Sequence, residues 1–448
     1  MKRKAVVLLL GGEEGVGLGA AAGAFFQPLL GRPLGAYALE AICGIDPEAV
    51  LVLAGAGPAV QDGWEDLIKG VETKTPVFLF AGEGRKEGRR AGVFPALVTA
   101  RAVLEKYPDR DILAVPAGLP LLRSQTLKAL LRVHASKDCA LTFLSGCGEA
   151  GLTGILALRS ADAFPLLRGI SPSRGAAGFE VLALRLTKAG KKVGFYECPD
   201  PEDVVPVENG EDLGRAAGLL RRRKNLSLAR KGVIFLDPAS AWVDWAATIG
   251  PRTVVYPSVV IEGPSRVGAD SRIYPHVHIM NSQLGARVKV RSSTVMEDTV
   301  LEDNTQVGPF SRFRPKTRVC AGAKVGNFVE MKNTVFGSRS KAQHLSYIGD
   351  SWVEEDVNVG AGTITCNYDG VNKNRTTIGA GAFIGSGSEL VAPVRIGRGA
   401  YVAAGSVITK DVGDDALAVA RGRQVERPGW AAARRAKLEK AKRSGSKP

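Results

Sequence analysis

The stretch that decides the fold is IGPRTVVYPSVVIEGPSRVGADSRIYPHVHI, residues 249–279, in which an aliphatic residue stands at every sixth place. The spacing returns twice further along the chain. The positions are Ile249, Val255, Ile261, Val267, Ile273, Ile279, then Val307, Phe313, Val319, Val325, Met331, then Ile378, Ile384, Leu390, Ile396, Val402 and Ile408. Neither a helix of period 3.6 nor a strand of period 2 selects every sixth residue, whereas a fixed six-residue period is typical of a solenoid. We therefore predict a parallel β-helix over residues 249–410.

Each six-residue repeat can form one flat side of a coil, with one aliphatic side chain pointing inward. Three sides close a coil, and coils stacked about 4.8 Å apart bury a continuous aliphatic column. Glycine follows the inward residue at positions 250, 268, 308, 326, 379, 385 and 397. We expect these glycines to supply the backbone angles of the corners.

The six-residue period is lost between Lys332 and Thr377. Two polar segments, KAQHLSY at 341–347 and CNYDGVNK at 366–373, interrupt it. Function is expected where a rigid scaffold carries irregular polar insertions, so we place the candidate site here.

The first half of the chain predicts a doubly wound, Rossmann-like α/β domain. Apolar runs at 5–10, 50–54, 76–80 and 111–115 predict buried parallel strands, and residues 34–42 predict a helix between the first two. A glycine-rich turn follows the first strand, but it carries Glu13 and Glu14 and no Lys or Arg. That is the wrong charge for binding a nucleoside triphosphate. An Arg-rich helix at 211–230 is expected to join the two halves.

Composition limits the class of protein and its partners. The formal net charge of the 448 residues is +15, and residues 421–448 hold ten Lys or Arg against two Glu. We interpret this tail as solvated and expect no nucleic-acid partner. The six cysteines are scattered without a C-x-x-C pair, which favours a reducing cytoplasm over a disulfide framework or a zinc site. No stretch reaches transmembrane length, so no membrane insertion is expected. The predicted domains are 1–208, a linker helix at 209–231, the β-helix at 232–420 and the tail at 421–448.

Four stretches carry a resemblance to one known family. They are GPFSRFRP at 308–315, VGNFVEMK at 325–332, SKAQHLSY at 340–347 and VNVGAGTITCNYDG at 357–370. On these motifs, residues 229–430 resemble the acetyltransferase half of the bifunctional GlmU family, which acetylates glucosamine-1-phosphate and then uridylylates the product to UDP-N-acetylglucosamine, a peptidoglycan precursor. The resemblance implies a left-handed β-helix and a homotrimer with active sites between subunits.

Acetyl transfer from acetyl-CoA to a sugar amine needs a base that titrates near neutrality, because the amine sheds a proton as the new bond forms. His344 stands where the family has its proton acceptor, and Glu330 matches a carboxylate that orients or polarises the base. The resemblance also implies sugar-phosphate contacts by Arg314, Lys332, Tyr347, Asn358 and Lys373, the last on a loop that reaches a neighbouring subunit. For acetyl-CoA it implies contacts by Ala361, Asn367, Tyr368, Ser386, Ala404 and Arg421.

The first half is similar to the family's uridyltransferase half in layout but lacks its charged residues. The family's triphosphate-binding Arg and Lys fall on Gly17 and Ala24, and its metal-binding Asp and Asn fall on Gly118 and Glu208. Nucleotidyl transfer depends on charge neutralisation and metal positioning, so we predict little or no uridyl transfer. Magnesium would be required only if that activity persists, and we assign no metal ligand.

Two alternatives remain open at this stage. The chain could retain both activities, or it could be a regulatory or scaffold protein that binds sugar nucleotides without turnover.

Overall fold

The computed structural model describes residues 4–11, 24–55, 58–81, 93–146 and 152–443. The chain divides into two compact units, Met1–Arg266 and Val267–Pro448. The predicted glycine-rich turn, including Glu13, Glu14 and Gly17, lies outside the described residues. The domain limits at 208, 231 and 420 stay a prediction.

The N-terminal unit contains a seven-stranded sheet with apolar clusters on both faces. Its strands, in spatial order, are Val77–Ala81, Ala49–Ala54, Val6–Gly11, Asp111–Pro116, Leu152–Arg159, Cys139–Ser145 and Lys192–Glu197. Only Leu152–Arg159 runs antiparallel to its neighbours. The continuous apolar runs of the parallel strands are buried because helices cover both faces of the sheet. The α/β fold and the four strands predicted from the sequence are confirmed.

The described helices follow the strands in alternation. They are Leu34–Cys43, Pro58–Lys69, Val93–Leu104, Ser124–Ser136, Ser160–Leu167, Ala177–Lys188 and Gly210–Arg230, with 3-10 turns at Ala24–Phe26, Pro172–Arg174 and Pro201–Val204 and a short antiparallel pair Pro28–Leu29 and Arg32–Pro33. The Arg-rich helix begins at Gly210, where the side chain of Asn209 accepts a hydrogen bond from the backbone of Asp212 at 2.9 Å. This N-cap explains why the helix starts there.

The first short strands after this helix also belong to the N-terminal unit. They are Ile234–Phe235, Trp242–Val243, Thr248–Ile249, Val254–Val255 and Val260–Glu262, and the strand Arg266–Val267 contains the point of division. Ile234–Phe235 pairs in parallel with Val254–Val255, so coiling begins before the six-residue period is complete.

The C-terminal unit is a parallel β-helix with three sheets, here called first, second and third in chain order. First-sheet strands are Arg272–Ile273, Lys289–Val290, Gln306–Val307, Lys324–Asn327, Lys341–His344, Asn358–Val359, Phe383–Ile384, Tyr401–Val402 and Leu417–Ala418. Second-sheet strands are His278–Met280, Val295–Glu297, Arg312–Phe313, Glu330–Lys332, Tyr347–Gly349, Ile364–Cys366, Glu389–Val391 and Val407–Ile408. Third-sheet strands are Gln283–Leu284, Thr299–Leu301, Thr317–Val319, Val335–Phe336, Ser351–Val353, Thr376–Ile378 and Val394–Ile396. All the aliphatic positions predicted to face inward are buried, which confirms the interpretation of the period.

The expected role of the glycines is wrong at most positions. Gly268 and Gly326 do not have a positive φ; the positive φ falls two residues later, on Asp270 and Phe328. The reason for glycine is space, because a Cβ at Gly326 would collide with the backbone carbonyl of Gln343 on the next coil. These glycines therefore permit close stacking of coils rather than the turn itself.

The expected interruption is also only half right. Segment 341–347 stays within the coils, because Lys341 pairs with Lys324 on one side and with Asn358 on the other, both 17 residues away, whereas Gln306 pairs with Lys324 across 18. Loss of one residue per coil hides the period without breaking the coil. The one true insertion in this region follows Cys366, since Asn358 pairs with Phe383, 25 residues on.

The chain ends in an exposed basic helix, Trp430–Arg443. Within the described ranges, no helix combines the length and apolar character needed to cross a membrane. Cys43, Cys139, Cys198, Cys320 and Cys366 are all free thiols.

A buried lysine in the N-terminal unit gives this unit a distinctive pH dependence. Lys224 donates to the carbonyls of Trp245 and Ala247 at 2.6 and 2.8 Å, and burial lowers its pKa from 10.5 to about 8. Between these two values the unfolded chain binds a proton that the folded chain does not, so this residue's contribution to stability rises as pH rises from about 8 towards 10. Below pH 8 it is constant.

We expect the melting temperature of the wild type, minus that of Lys224→Met, to increase between pH 8 and pH 10. Thermal unfolding of both proteins across this range measures the difference. Lys231→Met, which removes an exposed lysine after the same helix, serves as the control and should give a difference that does not change. A wild-type minus Lys224→Met difference that stays flat or falls would contradict the assignment.

Candidate active site

His344 lies at the end of a first-sheet strand, at the corner that leads into the second sheet. Its side chain is exposed. The imidazole Nδ1 is 2.7 Å from the carboxamide oxygen of Asn327, which lies directly beneath it in strand register. Since a carboxamide oxygen can only accept, Nδ1 carries the proton and Nε2 keeps a free lone pair. This arrangement prepares Nε2 to act as a base.

Asn327 was not among the residues singled out from the sequence, although it lies in one of the quoted motifs. The signal that could have found it is the 17-residue separation from His344, which is one coil. The predicted orienting residue, Glu330, contacts a different partner. Its Oε1 lies 3.2 Å from the guanidinium of Arg314, so the observed imidazole contact is with Asn327.

Three predicted cations converge on the second sheet beside this corner. Arg314 aligns with Lys332 across adjacent coils, since its backbone N–H bonds to the carbonyl of Met331 at 2.9 Å. The Lys373 ammonium approaches within hydrogen-bonding distance of Lys332, and this contact together with the charge of Arg314 lowers the pKa of Lys332. Asp350 opposes the shift. Three crowded positive charges with one nearby carboxylate form a site suited to a dianionic group.

Tyr347 and Asn367 approach each other because Gly349 has no side chain. A Cβ at Gly349 would lie 2.5 Å from the Tyr347 hydroxyl oxygen and 2.9 Å from the Asn367 amide nitrogen. Asn367 is buried and its amide donates to Asp350. Asn358 lies on the first sheet, paired with Lys341, and is partly exposed. Both Tyr347 and Asn358 therefore flank the corner that carries His344.

Four of the predicted acetyl-CoA residues form a line along this corner, one per coil. The carbonyl of Ala361 accepts from Gly387 at 2.7 Å, that of Ser386 accepts from Gly405 at 2.8 Å, and that of Ala404 accepts from the Arg421 guanidinium at 2.8 Å. Tyr368 departs from this line. It is exposed on the inserted loop, where its hydroxyl donates to the carbonyl of Gly370 at 2.5 Å and its backbone bridges to Lys373.

The equivalent catalytic positions of the N-terminal unit hold no such charges. Gly118 and Val207 are adjacent, with a 3.0 Å hydrogen bond from the Val207 N–H to the Gly118 carbonyl, which brings Gly118 and Glu208 to one place. A Cβ at Gly118 would lie 3.7 Å from the ring of Phe25. The Phe25 ring lies 6.0 Å from that of the fully buried Trp64, which packs against Gly11 at the end of the first strand. Aromatic rings therefore pack around the carboxyl ends of two central strands, where α/β sheets bind ligands.

These residues do not fit a magnesium ion. Among the described residues, no group of three or more His, Cys, Asp or Glu side chains is placed to hold a metal. The Gly118 position offers no carboxylate, and the predicted Lys position is Ala24.

The fold and the site define a hexapeptide-repeat transferase. Residues 375–410 match the family model described as bacterial transferase hexapeptide (six repeats). The chain is 33% identical to the bifunctional protein GlmU of Pelobacter propionicus over 96% of this chain and 98% of that protein. It is 36% identical to the bifunctional protein GlmU of Thermotoga maritima over 90% of this chain and 93% of that protein. The chain belongs to the bifunctional GlmU family, and its β-helix is the left-handed form that the resemblance predicted.

The imidazole geometry predicts an observable tautomer. In the wild type, neutral His344 should carry its proton on Nδ1, whereas Asn327→Ala removes the acceptor and should weaken this preference by about 1 kcal/mol, about a fivefold change in the tautomer ratio. Nitrogen-15 NMR of labelled histidine measures the ratio. Asn327→Asp, which keeps an acceptor oxygen, should retain the Nδ1 proton.

Asn304→Ala is the control, since Asn304 is another corner asparagine and contacts Arg287 instead. An unchanged ratio in Asn327→Ala would contradict the role assigned to Asn327.

Proposed function

We propose that the chain transfers the acetyl group of acetyl-CoA to the amine of glucosamine-1-phosphate, giving N-acetylglucosamine-1-phosphate for UDP-N-acetylglucosamine synthesis in the cytoplasm. The observation that carries the proposal is the imidazole of His344, held through Nδ1 by Asn327 at 2.7 Å, next to the cluster of Arg314, Lys332 and Lys373. A base and a phosphate-binding site lie on adjacent sides of one corner. This is what an amino-sugar phosphate requires.

The reaction follows from this arrangement. The sugar amine attacks the thioester carbonyl, the N–C bond forms, and the C–S bond breaks to release the thiolate of CoA. The amine proton passes to Nε2 of His344 as the bond forms. Asn327 holds the imidazole in the tautomer that leaves Nε2 unprotonated. No acyl-enzyme is involved, so Cys366 has no chemical role.

The cations would bind the sugar phosphate, and Glu330 would hold the Arg314 guanidinium in place through their 3.2 Å contact. Tyr347 and Asn358 would contact the sugar by hydroxyl and amide. Acetyl-CoA would lie along the corner line of Ala361, Ser386, Ala404 and Arg421, with Asn367 and Tyr368 at its reactive end. Asn367 would contribute through its backbone or its carbonyl oxygen, because its amide is bound to Asp350.

We further propose a homotrimer in which the corner of one subunit faces the next. Three large apolar residues, Phe310, Phe328 and Leu345, occupy successive coils at this corner and are 54, 55 and 62% exposed. The rings of Phe310 and Phe328 stack at 5.6 Å. An exposed apolar ridge beside a catalytic base is well suited to contact a second subunit and to exclude water.

Uridyl transfer is proposed to be lost. The support is the packing of Phe25 at Gly118, where the chemistry needs a metal-binding carboxylate. We propose that the domain of residues 1–208 now serves as a structural partner of the β-helix of residues 232–420, joined to it by the segment 209–231.

The base assignment predicts a loss of at least about 100-fold in kcat for His344→Ala, because general-base catalysis contributes about this much. Release of free thiol from acetyl-CoA in the presence of glucosamine-1-phosphate measures the rate. His276→Ala, at another exposed corner, is the matched control and should keep the wild-type rate. A His344→Ala rate equal to that of the control would refute the assignment.

The same purified sample should release no pyrophosphate from UTP and N-acetylglucosamine-1-phosphate with magnesium, because the N-terminal unit lacks the metal carboxylate. Pyrophosphate release at a rate comparable to thiol release would establish the fully bifunctional alternative. If neither reaction occurs while calorimetry detects UDP-N-acetylglucosamine binding, the regulatory alternative is correct.

A further inference from the structure

A second group of cations lies on the other side of His344, and the residues assigned above do not include it. A pocket of about 360 Å³ opens on the first sheet with His344 and Asn327 on its rim. Its charged and amide side chains are Arg291, Lys324, Gln306 and Gln343. The volume falls in the range of small-ligand sites, about 300–1,000 Å³.

Strand register explains why the pocket forms here. Gln306 pairs with Lys324 and Lys324 with Lys341, so the outward side chains of successive coils are about 4.8 Å apart. The next outward position along these strands is Gly308 on one coil and Gly326 on the following coil, with the Gly308 N–H bonded to the carbonyl of Val325 at 2.9 Å. Two successive coils without side chains leave a floor of backbone.

The charges on this pocket are not compensated within the chain. In the part of the chain that the structure describes, neither Arg291 nor Lys324 has an acidic side chain within ion-pair distance. Other exposed arginines of the β-helix do, since Arg287, Arg318 and Arg339 each pair with Asp or Glu. Two unpaired cations and two carboxamides around a glycine floor supply donors from several directions, as a phosphate ester requires.

We infer that this pocket binds a phosphate or diphosphate group of a substrate that reacts at His344. The inference deepens the proposed acetyl transfer and rests on it for the choice of substrate, although phosphate binding itself does not depend on it. Two sources share this chemistry: the phosphate of the amino sugar and the phosphates of CoA. The base would then lie between two anion sites, one on each sheet, so that both phosphorylated reactants are held while their reactive ends meet at Nε2.

The first test uses Arg291→Gln/Lys324→Gln, which removes both charges and keeps polar side chains. Arg272→Gln/Lys289→Gln removes the same charge from the same sheet, outside the pocket, and is the matched control. In the thiol-release assay, the pocket variant should raise KM for one phosphorylated substrate by about tenfold with little change in kcat, since a charge-assisted hydrogen bond is lost. The control should match the wild type.

Substrates that lack phosphate distinguish the two sources. If the sugar phosphate binds here, the difference between variant and wild type should vanish with glucosamine. If the CoA phosphates bind here, it should vanish with S-acetylpantetheine. Equal KM values for both natural substrates in the pocket variant and the control would overturn the inference while leaving acetyl transfer intact.

A second measurement remains informative if the chain transfers no acetyl group. Inorganic pyrophosphate is titrated into the full-length protein and followed by calorimetry and by the NMR signals of His344. The wild type and the control should show saturable binding with a shift of these signals, and the pocket variant should lose both. Absence of binding in the wild type, or equal binding in the pocket variant, would overturn the anion site.

Discussion

In-register pairing between successive coils is the interaction on which the β-helix depends. Pairing places each outward side chain about 4.8 Å from its counterpart on the next coil, so residues 17 or 18 apart in sequence become neighbours. His344 lies over Asn327 for this reason, and Tyr347 lies beside Glu330. The inward column fixes the register, because a slip of one residue would expose aliphatic side chains and bury polar ones. Catalytic geometry is therefore a consequence of core packing.

The corners show what the fold accepts in exchange for this precision. Phe310, Phe328 and Leu345 have φ between 47 and 55°. A left-handed backbone costs a non-glycine residue about 1–2 kcal/mol, and further along the same corner Gly362, Gly387 and Gly405 adopt this conformation without that cost. Large apolar side chains at strained, exposed positions indicate that the side chains themselves are needed, next to the base. A subunit contact at this corner accounts for both the strain and the exposure.

The sequence was sufficient for the fold because the inward period is strict, and even a coil of 17 residues keeps its inward positions filled. It was insufficient for the roles of particular glycines. Gly326 and Phe328 are two residues apart, and only coordinates reveal that the first lacks space while the second takes the turn. Motif resemblance identified His344 but not Asn327, whose role depends on the next coil. The pocket formed by Arg291 and Lys324 was missed because no motif contains both residues and their proximity depends on register alone.

The two halves of the chain treat charge in opposite ways. In the N-terminal unit, an apolar contact between Phe25 and Gly118 stands where the family has a carboxylate, which removes the cost of partly desolvating a charge and favours stability. Around His344, by contrast, Lys332 lies against Lys373 and Arg314, and this repulsion lowers the pKa of Lys332. Clustered cations destabilise the unliganded chain. Because an anionic ligand would relieve that repulsion, the uncompensated charges are explained by binding rather than by folding, and they lie only in the half for which catalysis is proposed.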